Sequence, residues 1–157
     1  MPVIKNMNDL QKIVEQKIRQ ALDLTQQEIN RVLDYYIESY YDEYDPLVYN
    51  RTDMLRNSPI KPQIVKNKNG YSCVVGIDEE YLNYSYPDTW RYAGSPNVKD
   101  TPATGLDIMQ WSEKGLHGGT VQGSVRIWHD TLEELGGREG IIELMKTNMR
   151  KVGLPIK

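Results

Sequence analysis

The chain has 157 residues, of which 39% are apolar and 26% charged, and its net charge is −3. This length suits one domain with a packed core, and the acidic balance argues against a nucleic-acid-binding protein. Its single cysteine, Cys73, excludes an internal disulfide. The N-terminus lacks the pattern of a signal peptide, and no apolar run approaches the ~20 residues of a membrane span. We therefore expect a soluble protein made in the cytoplasm.

Tyrosines and charges are distributed in a way that suggests contact surfaces. There are 11 tyrosines and no phenylalanine, and tyrosine joins an apolar ring to a hydroxyl that requires a partner. An acidic block over residues 34–49 is followed by a basic block over 50–70. Two such blocks can pair between neighbouring subunits, although each can equally be a solvated face.

The first half of the chain is dominated by one helical pattern. Residues 1–7 are predicted to form a short arm that a neighbouring subunit can order. From Asn8 to Tyr40, apolar residues recur at steps of three and four, which predicts an amphipathic helix of about 35 residues, roughly 50 Å long. Asn8 resembles the start of a capping box, and Pro46 ends the helix. A helix of this length needs cover beyond a small domain, which indicates a neighbouring subunit.

The segment after this helix changes from helix to strand. Residues 51–59 are predicted to form a short helix or turn, with Thr52 as its N-cap. Asn69 and Gly70 separate two apolar runs, which is the strongest short-range signal for a β-hairpin. We place the two strands at residues 62–68 and 71–78.

The second half of the chain alternates loops, helices and glycine-rich turns. Residues 79–103 are rich in aromatic and turn residues without a period, and we expect an ordered contact loop there. A short helix is predicted over 104–114, ended by Gly115. A third strand is predicted at 125–128, and a last helix follows, with its main piece at about 139–152. Together these elements predict a single α+β domain spanning 1–157, in which the long N-terminal helix and the C-terminal helix pack on a small, mainly antiparallel sheet.

Residues that could bind a metal are few. His117 and His129 are the only histidines, and with Asp130 they could be metal ligands, but their spacing matches no structural zinc pattern. We therefore predict no metal site. A small metal-dependent nuclease that uses these three residues remains the alternative to a structural role.

Other catalytic patterns are equally weak. The loop from Gly115 to Gly119 lacks the Lys-Ser/Thr of a phosphate-binding loop. Ser112 or Ser124 could be combined with a histidine, but neither lies in a GxSxG elbow. We therefore predict no catalytic residue, no cofactor and no enzymatic activity. A regulator that binds one host partner is a further alternative.

One stretch resembles a known protein family. The segment from Tyr44 to Pro59 contains Tyr49-Asn50-Arg51-Thr52-Asp53-Met54-Leu55. It is similar to the Y-x-P-x-x-Y-x-R-T-x-x-L signature of the tail-completion and head–tail joining proteins of long-tailed phages. The loop from Gly115 to Gly119 and the Arg126-Ile127-Trp128 run resemble the branch found in phages of Gram-positive hosts. The glycine that usually follows the threonine is replaced by Asp53, a residue type that tolerates a positive φ better than most.

This resemblance implies a structural virion protein of the phage neck or tail. Members of the family form a ring, commonly of six subunits, that completes or terminates the tail or joins it to the head connector. The implied partners are further copies of the chain and the neighbouring neck, connector and tail-tube proteins, while DNA passes through the lumen without specific binding. We expect Arg51 to pair with an acidic residue of the helix end or of a neighbour. The predicted subunit contacts are Tyr40, Tyr41, Tyr44, Tyr49, Arg51, Trp90, Trp111 and His117.

Overall fold

A computed structural model describes residues 6–43, 53–60, 63–68, 70–82, 104–117 and 121–156. Within them the fold is α+β, as predicted. The helices are α1 (Met7–Asp42), α2 (Gly105–Glu113), α3 (Ile127–Glu134) and α4 (Gly137–Lys151). The strands are β1 (Val65–Asn67), β2 (Gly70–Ser72), β3 (Leu116–His117) and β4 (Val121–Gln122). None of the helices in this described part of the chain is both long and apolar enough to span a bilayer.

The chain divides into two compact units. Unit 1 comprises Met1–Val32, Lys61–Val75 and Leu132–Lys157, and unit 2 comprises Leu33–Ile60 and Gly76–Thr131. The strands form two separate two-stranded antiparallel pairs, β1–β2 in unit 1 and β3–β4 in unit 2, rather than one sheet. The organisation of residues 1–157 as a single domain stays a prediction.

Helix α1 confirms the long amphipathic helix predicted from the sequence. It has 36 residues, and its N-cap is Asn6 rather than Asn8, because the Asn6 side chain accepts a hydrogen bond of 2.9 Å from the backbone N–H of Asp9. Its buried residues recur at helical spacing, as expected for one face of an amphipathic helix. They are Ala21, Thr25, Gln26, Val32, Leu33, Ile37 and Tyr40.

The hairpin of unit 1 confirms the prediction made at Asn69 and Gly70, although its strands are shorter than expected. Gly70 takes a φ of 140°, which favours glycine. All three residues of β1 are exposed, so the hairpin is not held by a buried apolar face. The antiparallel pairs are Val65 with Ser72, Lys66 with Tyr71 and Asn67 with Gly70.

Helix α4 contributes a buried polar contact to unit 1. The amide of Asn148 donates to the hydroxyl of Thr25 over 3.0 Å, and Thr25 in turn donates to the carbonyl of Ala21 over 2.8 Å. Both Thr25 and Asn148 are buried, so each satisfies the other's polar group. Helix α4 ends at Lys151, close to the predicted end at about 152. Gly153 follows with a φ of 81°, and the Leu154 N–H bonds to the carbonyl of Met149 in a Schellman motif.

In unit 2, helix α2 confirms the prediction, whereas the strand predicted at 125–128 is wrong. Ile127 begins helix α3 instead and is fully buried. The carboxylate of Glu113 accepts the N–H groups of Trp128 at 2.7 Å and His129 at 3.3 Å, and Asp130 accepts that of Arg126 at 2.7 Å. These bonds satisfy the free amides of a helix N-terminus, so Ile127 and Trp128 begin a helix although the run from Val125 to Trp128 has β-forming residues.

Candidate functional site

Among the described residues of unit 2, Glu43 makes the most hydrogen bonds through one side chain; it lies directly after the last residue of α1. Its carboxylate accepts hydrogen bonds from the hydroxyl of Ser124, from the N–H of Ser124 at 2.8 Å and from the N–H of Val125 at 3.1 Å. The side chain keeps only 20% of its surface exposed. We call Glu43, Ser124, Val125, His117 and Tyr40 the Glu43 brace.

A histidine and a tyrosine complete the brace from the other side. His117 is buried, and its Nε2 lies 3.4 Å from Oε2 of Glu43. Its ring stacks on Tyr40 with the centroids 4.2 Å apart, and the Tyr40 hydroxyl donates to the carbonyl of Leu116 over 2.6 Å. Tyr40 and Glu43 are three positions apart in the chain, a spacing that brings side chains together at the end of a helix.

Gly123 leaves the space that the brace needs. A Cβ atom at this position would overlap the Glu43 carboxylate and lie 2.6 Å from Nε2 of His117. The backbone N–H of Gly123 also donates to the carbonyl of Gly115 over 2.6 Å, and Gly115 takes a φ of 65°. The loop before α3 can therefore approach Glu43 and His117 closely because Gly123 has no side chain.

The hydrogen bonds of the brace change the acidity of Glu43. Partial burial by itself raises the pKa of this carboxyl, but the bonds from the Ser124 hydroxyl and from the N–H groups of Val125 and Ser124 outweigh it, and the pKa is lowered. The carboxylate is therefore charged at neutral pH, and it binds its donors through charge-assisted hydrogen bonds.

The order of groups in the brace decides what it can do chemically. In a nucleophilic triad the histidine lies between the hydroxyl and the carboxylate and takes the hydroxyl proton. Here the carboxylate lies between Ser124 and His117, and the Ser124 hydroxyl is directed to Glu43. The arrangement ties the end of α1 to the loop before α3 and does not present Ser124 to a histidine base.

The three residues considered as metal ligands do not meet at one point. Nδ1 of His129 lies 3.0 Å from Oδ1 of Asp130, whereas His117 is held by Glu43 and Tyr40. In the part of the chain that the structure describes, His117 belongs to no group of three closely spaced His, Cys, Asp or Glu side chains. His129 and Asp130 instead form such a group with Glu133, in which one ligand atom of each residue lies within 4.8 Å of the others. The nuclease that uses His117, His129 and Asp130 together stays an untested alternative.

A second cluster of unit 2 surrounds Arg56. Its guanidinium makes two hydrogen bonds of 2.6 Å to Glu38 and one of 2.9 Å to Asp53, and it lies 4.8 Å from the centre of the Tyr41 ring. Asp53 takes a φ of 53°, the left-handed conformation that glycine adopts most readily. Arg56 thus pairs with the acidic end of α1. Arg51, for which such a pairing is predicted, lies outside the described residues, and its role stays a prediction.

The structure places four of the eight predicted contact residues. Tyr40 and His117 are buried in the brace, and Tyr41 and Trp111 are half-buried. Tyr40 and His117 therefore offer little surface to another subunit. The role of all eight as subunit contacts stays a prediction. Outside the described residues lie Tyr44, Tyr49, Arg51 and Trp90, together with the 83–103 part of the predicted contact loop.

Unit 1 contains an open groove between the first half of α1 and the hairpin. Glu15 accepts hydrogen bonds of 2.9 Å from Lys66 and from the hydroxyl of Tyr71. The cationic groups of Arg19 and Lys66 lie 5.9 and 5.7 Å from the centre of the Tyr71 ring, within cation–π range. We call this feature the Tyr71 groove; its volume is about 350 Å³. It is lined by Lys12, Glu15, Gln16, Arg19, Gln20 and Tyr71.

Glu15 is expected to titrate far below an ordinary glutamate. Hydrogen bonds from Lys66, Gln11 and Tyr71 lower its pKa from 4.5 to about 2. Because the folded pKa is depressed, the contact stabilises the hairpin above pH 4.5 and is lost as the pH falls towards 2. Carbon-detected NMR of the Glu15 carboxyl should give a midpoint near 2. Lys66→Met should raise this midpoint, whereas Lys68→Met, a matched control on the same hairpin, should leave it unchanged; a wild-type midpoint near 4.5 would contradict the prediction.

Comparison with known proteins identifies the family. Residues 6–151 match the model of a family described as YomN. The chain belongs to the YomN family. It is 25% identical over 118 residues to the "SPbeta prophage-derived uncharacterized protein YomN" of Bacillus subtilis (strain 168), an alignment that covers 64% of this chain and 83% of the relative. No solved structure matches the chain. None of these findings bears on the tail-completion resemblance, which stays a prediction.

The YomN match includes residues that the sequence alone did not single out. Glu43 and Gly123 organise the brace and lie within the matched range 6–151. Glu43 looked like one more member of an acidic block, and Gly123 lay outside the glycine loop at 115–119. The available signal was the spacing of Glu43 three residues after Tyr40, which predicts a common neighbour for both side chains.

Proposed function

We propose that this YomN-family chain is a non-catalytic assembly protein of a phage particle. Its role is that of a ring-forming subunit in the neck or at the tail end, which completes or terminates the tail or joins it to the head. The phage part of this proposal is supported by the relative, whose name describes it as prophage-derived.

The observation that carries the non-catalytic part is the order of groups in the Glu43 brace. Ser124, Glu43 and His117 are the residue types of a nucleophilic site, yet the carboxylate accepts the serine hydroxyl and the histidine stacks on Tyr40. All three side chains are engaged in holding the β3–β4 hairpin and the following loop on the end of α1. Such polar networks fix one conformation, which is what a subunit with precise contact surfaces requires.

The neck part is supported by the backbone conformation of Asp53, a residue within the motif that resembles the tail-completion family. The tail-completion family usually has a glycine at the position of Asp53, and Asp53 takes the positive φ that a glycine would supply. The Arg56 cluster then joins this turn to Glu38 on α1. The departure from the family pattern is therefore compatible with the same turn geometry.

The proposed partners follow from this role. The chain would form a ring, with six copies suggested by the resemblance, between the connector and tail-tube proteins of the virion. DNA would pass through the lumen without specific binding. An acidic chain suits such a passage, because strong phosphate contacts would hold the DNA.

The test is a stop codon early in the gene of the phage or prophage that encodes the chain. Electron microscopy of the induced lysate should show filled heads separated from tails, or tails of abnormal length, and infectivity should be restored by the wild-type gene in trans. Mass spectrometry of purified wild-type particles should detect the chain in a fixed small copy number. Particles of normal shape and titre from the mutant, or particles that lack the chain, would refute the proposal.

A further inference from the structure

Charges are segregated between the two units of the chain. Among its described residues, unit 2 has eleven acidic and three basic side chains, whereas unit 1 has eight acidic and ten basic side chains. The described residues of unit 2 thus have a negative net charge and those of unit 1 a positive one, although the whole chain has a net charge of only −3. A head-to-tail contact between copies requires two surfaces of opposite charge on one molecule, because each copy then offers both halves of the contact.

The Tyr71 groove is the part of unit 1 that can receive an acidic partner. Glu15, the acidic residue of its lining, is already neutralised by Lys66. Lys12 and Arg19 are exposed and have no acidic partner among the described residues, and Arg19 instead lies against the ring of Tyr71. The groove therefore offers two unpaired cations beside a half-buried aromatic ring.

The complementary surface is on the last turns of α1, in unit 2. Asp34, Glu38 and Asp42 are exposed and recur every four residues, so they form one stripe on the helix. Glu38 is held by Arg56, but Asp34 and Asp42 have no cationic partner within the described residues. Beside Asp34 lies Tyr35, which is 62% exposed. Exposed tyrosines next to charges are typical of the anchors of protein interfaces. We call Asp34, Tyr35, Glu38 and Asp42 the acidic stripe.

We propose that the Tyr71 groove of one copy binds the acidic stripe of a second copy. In this contact Asp34 and Asp42 pair with Lys12 and Arg19, and Tyr35 packs beside Tyr71. The contact is heterologous, since two different surfaces meet, and repeated contacts of this kind close into a ring when the rotation between copies allows. This inference rests on the proposed assembly role and names the surfaces that carry it.

The test uses charge reversal on each surface separately. Lys12→Glu/Arg19→Glu makes both surfaces acidic, and Asp34→Lys/Asp42→Lys makes both basic, so each variant should repel its own copies. Analytical ultracentrifugation up to about 1 mM protein should show wild-type self-association that weakens between about 20 and 500 mM NaCl. Each double variant should lose at least about tenfold in association constant. An equimolar mixture of the two should recover it, because opposite charges then face each other at every contact.

The matched control is Arg138→Glu/Lys151→Glu, which makes the same charge change at exposed positions of α4 and should associate like the wild type. A wild-type chain that stays monomeric at low salt, reversals with no effect, or a mixture without recovery would overturn the contact. Binding of a duplex oligonucleotide by the groove in place of self-association would overturn it as well. If particles still contain a ring of the chain when it has either charge reversal, the assembly role is retained. Only the assignment of the contact to these two surfaces is then refuted.

Discussion

Replacing Glu43 with alanine is expected to lower the free energy of unfolding of unit 2 by about 2–3 kcal/mol. The substitution removes a charged acceptor and leaves the Ser124 hydroxyl and the N–H groups of Ser124 and Val125 without their partner, and hydrogen bonds to charged groups contribute about 1.5–3 kcal/mol. Urea denaturation followed by tryptophan fluorescence measures this change, because Trp111 and Trp128, the tryptophans among the described residues, both belong to unit 2.

The control for this prediction is Asp42→Ala, one residue earlier. Asp42 is exposed and has no ion-pair partner among the described residues, so its loss should change the free energy by about 0.5 kcal/mol at most. Glu43→Gln adds a test by pH. The lowered pKa of Glu43 means that its stabilisation is present above the ordinary value of 4.5 and is lost as the pH falls through the folded value. Glu43→Gln should lack this acid-dependent loss. Equal effects of Glu43→Ala and Asp42→Ala would contradict the brace.

The sequence predicted those elements whose signals are local. The apolar period between Asn8 and Tyr40 defined α1 nearly to its ends, because a long amphipathic pattern is repeated many times. Its cap was misplaced by two residues, since Asn6 and Asn8 offer the same side chain and only the geometry distinguishes them. The hairpin at Gly70 was likewise predictable from a turn residue whose conformation few others adopt.

The elements that could not be predicted depend on partners distant in the chain. The run from Val125 to Trp128 has strand-forming residues, and it is Glu113 that converts its end into the first turn of α3. The Glu43 brace joins residues 81 positions apart. Neither carboxylate is distinguishable in sequence from a solvated surface residue, because its role is fixed by which backbone amides approach it.

The last turns of α1 hold the loops of unit 2 in place through their side chains. Glu38 and Tyr41 bind Arg56, and Tyr40 and Glu43 bind the loops around His117 and Ser124. The residues that organise unit 2, Glu38 among them, thus lie on the same few turns as Asp34, Tyr35 and Asp42 of the acidic stripe. A substitution on the acidic stripe reports on assembly only if unit 2 stays folded, and this requires an intact Glu43 brace. Stability and association are therefore measured on separate variants.

Replacing Gly105 with alanine is expected to have the largest effect, a loss of about 3 kcal/mol or more in unit 2. Gly105 is the first residue of α2 and is buried. A Cβ atom there would overlap the backbone carbonyl oxygen of Glu79 and lie 3.1 Å from its Cα. These are backbone atoms that cannot rotate away, so α2 and the turn at Glu79 would have to separate. Overpacking of this kind costs about 1–3 kcal/mol and more where the neighbours cannot yield.

Leu106→Ala is the matched control for Gly105→Ala, since it alters the next residue of the same helix at a side chain that is 54% exposed. It should change the free energy of unfolding by less than about 1 kcal/mol, measured by the same tryptophan fluorescence. Far-UV circular dichroism should show that the helical signal of unit 1 persists in Gly105→Ala at temperatures where the tryptophan signal is already that of the unfolded chain. Nearly equal midpoints for the two variants would show that the approach of α2 to Glu79 is not required for the stability of unit 2.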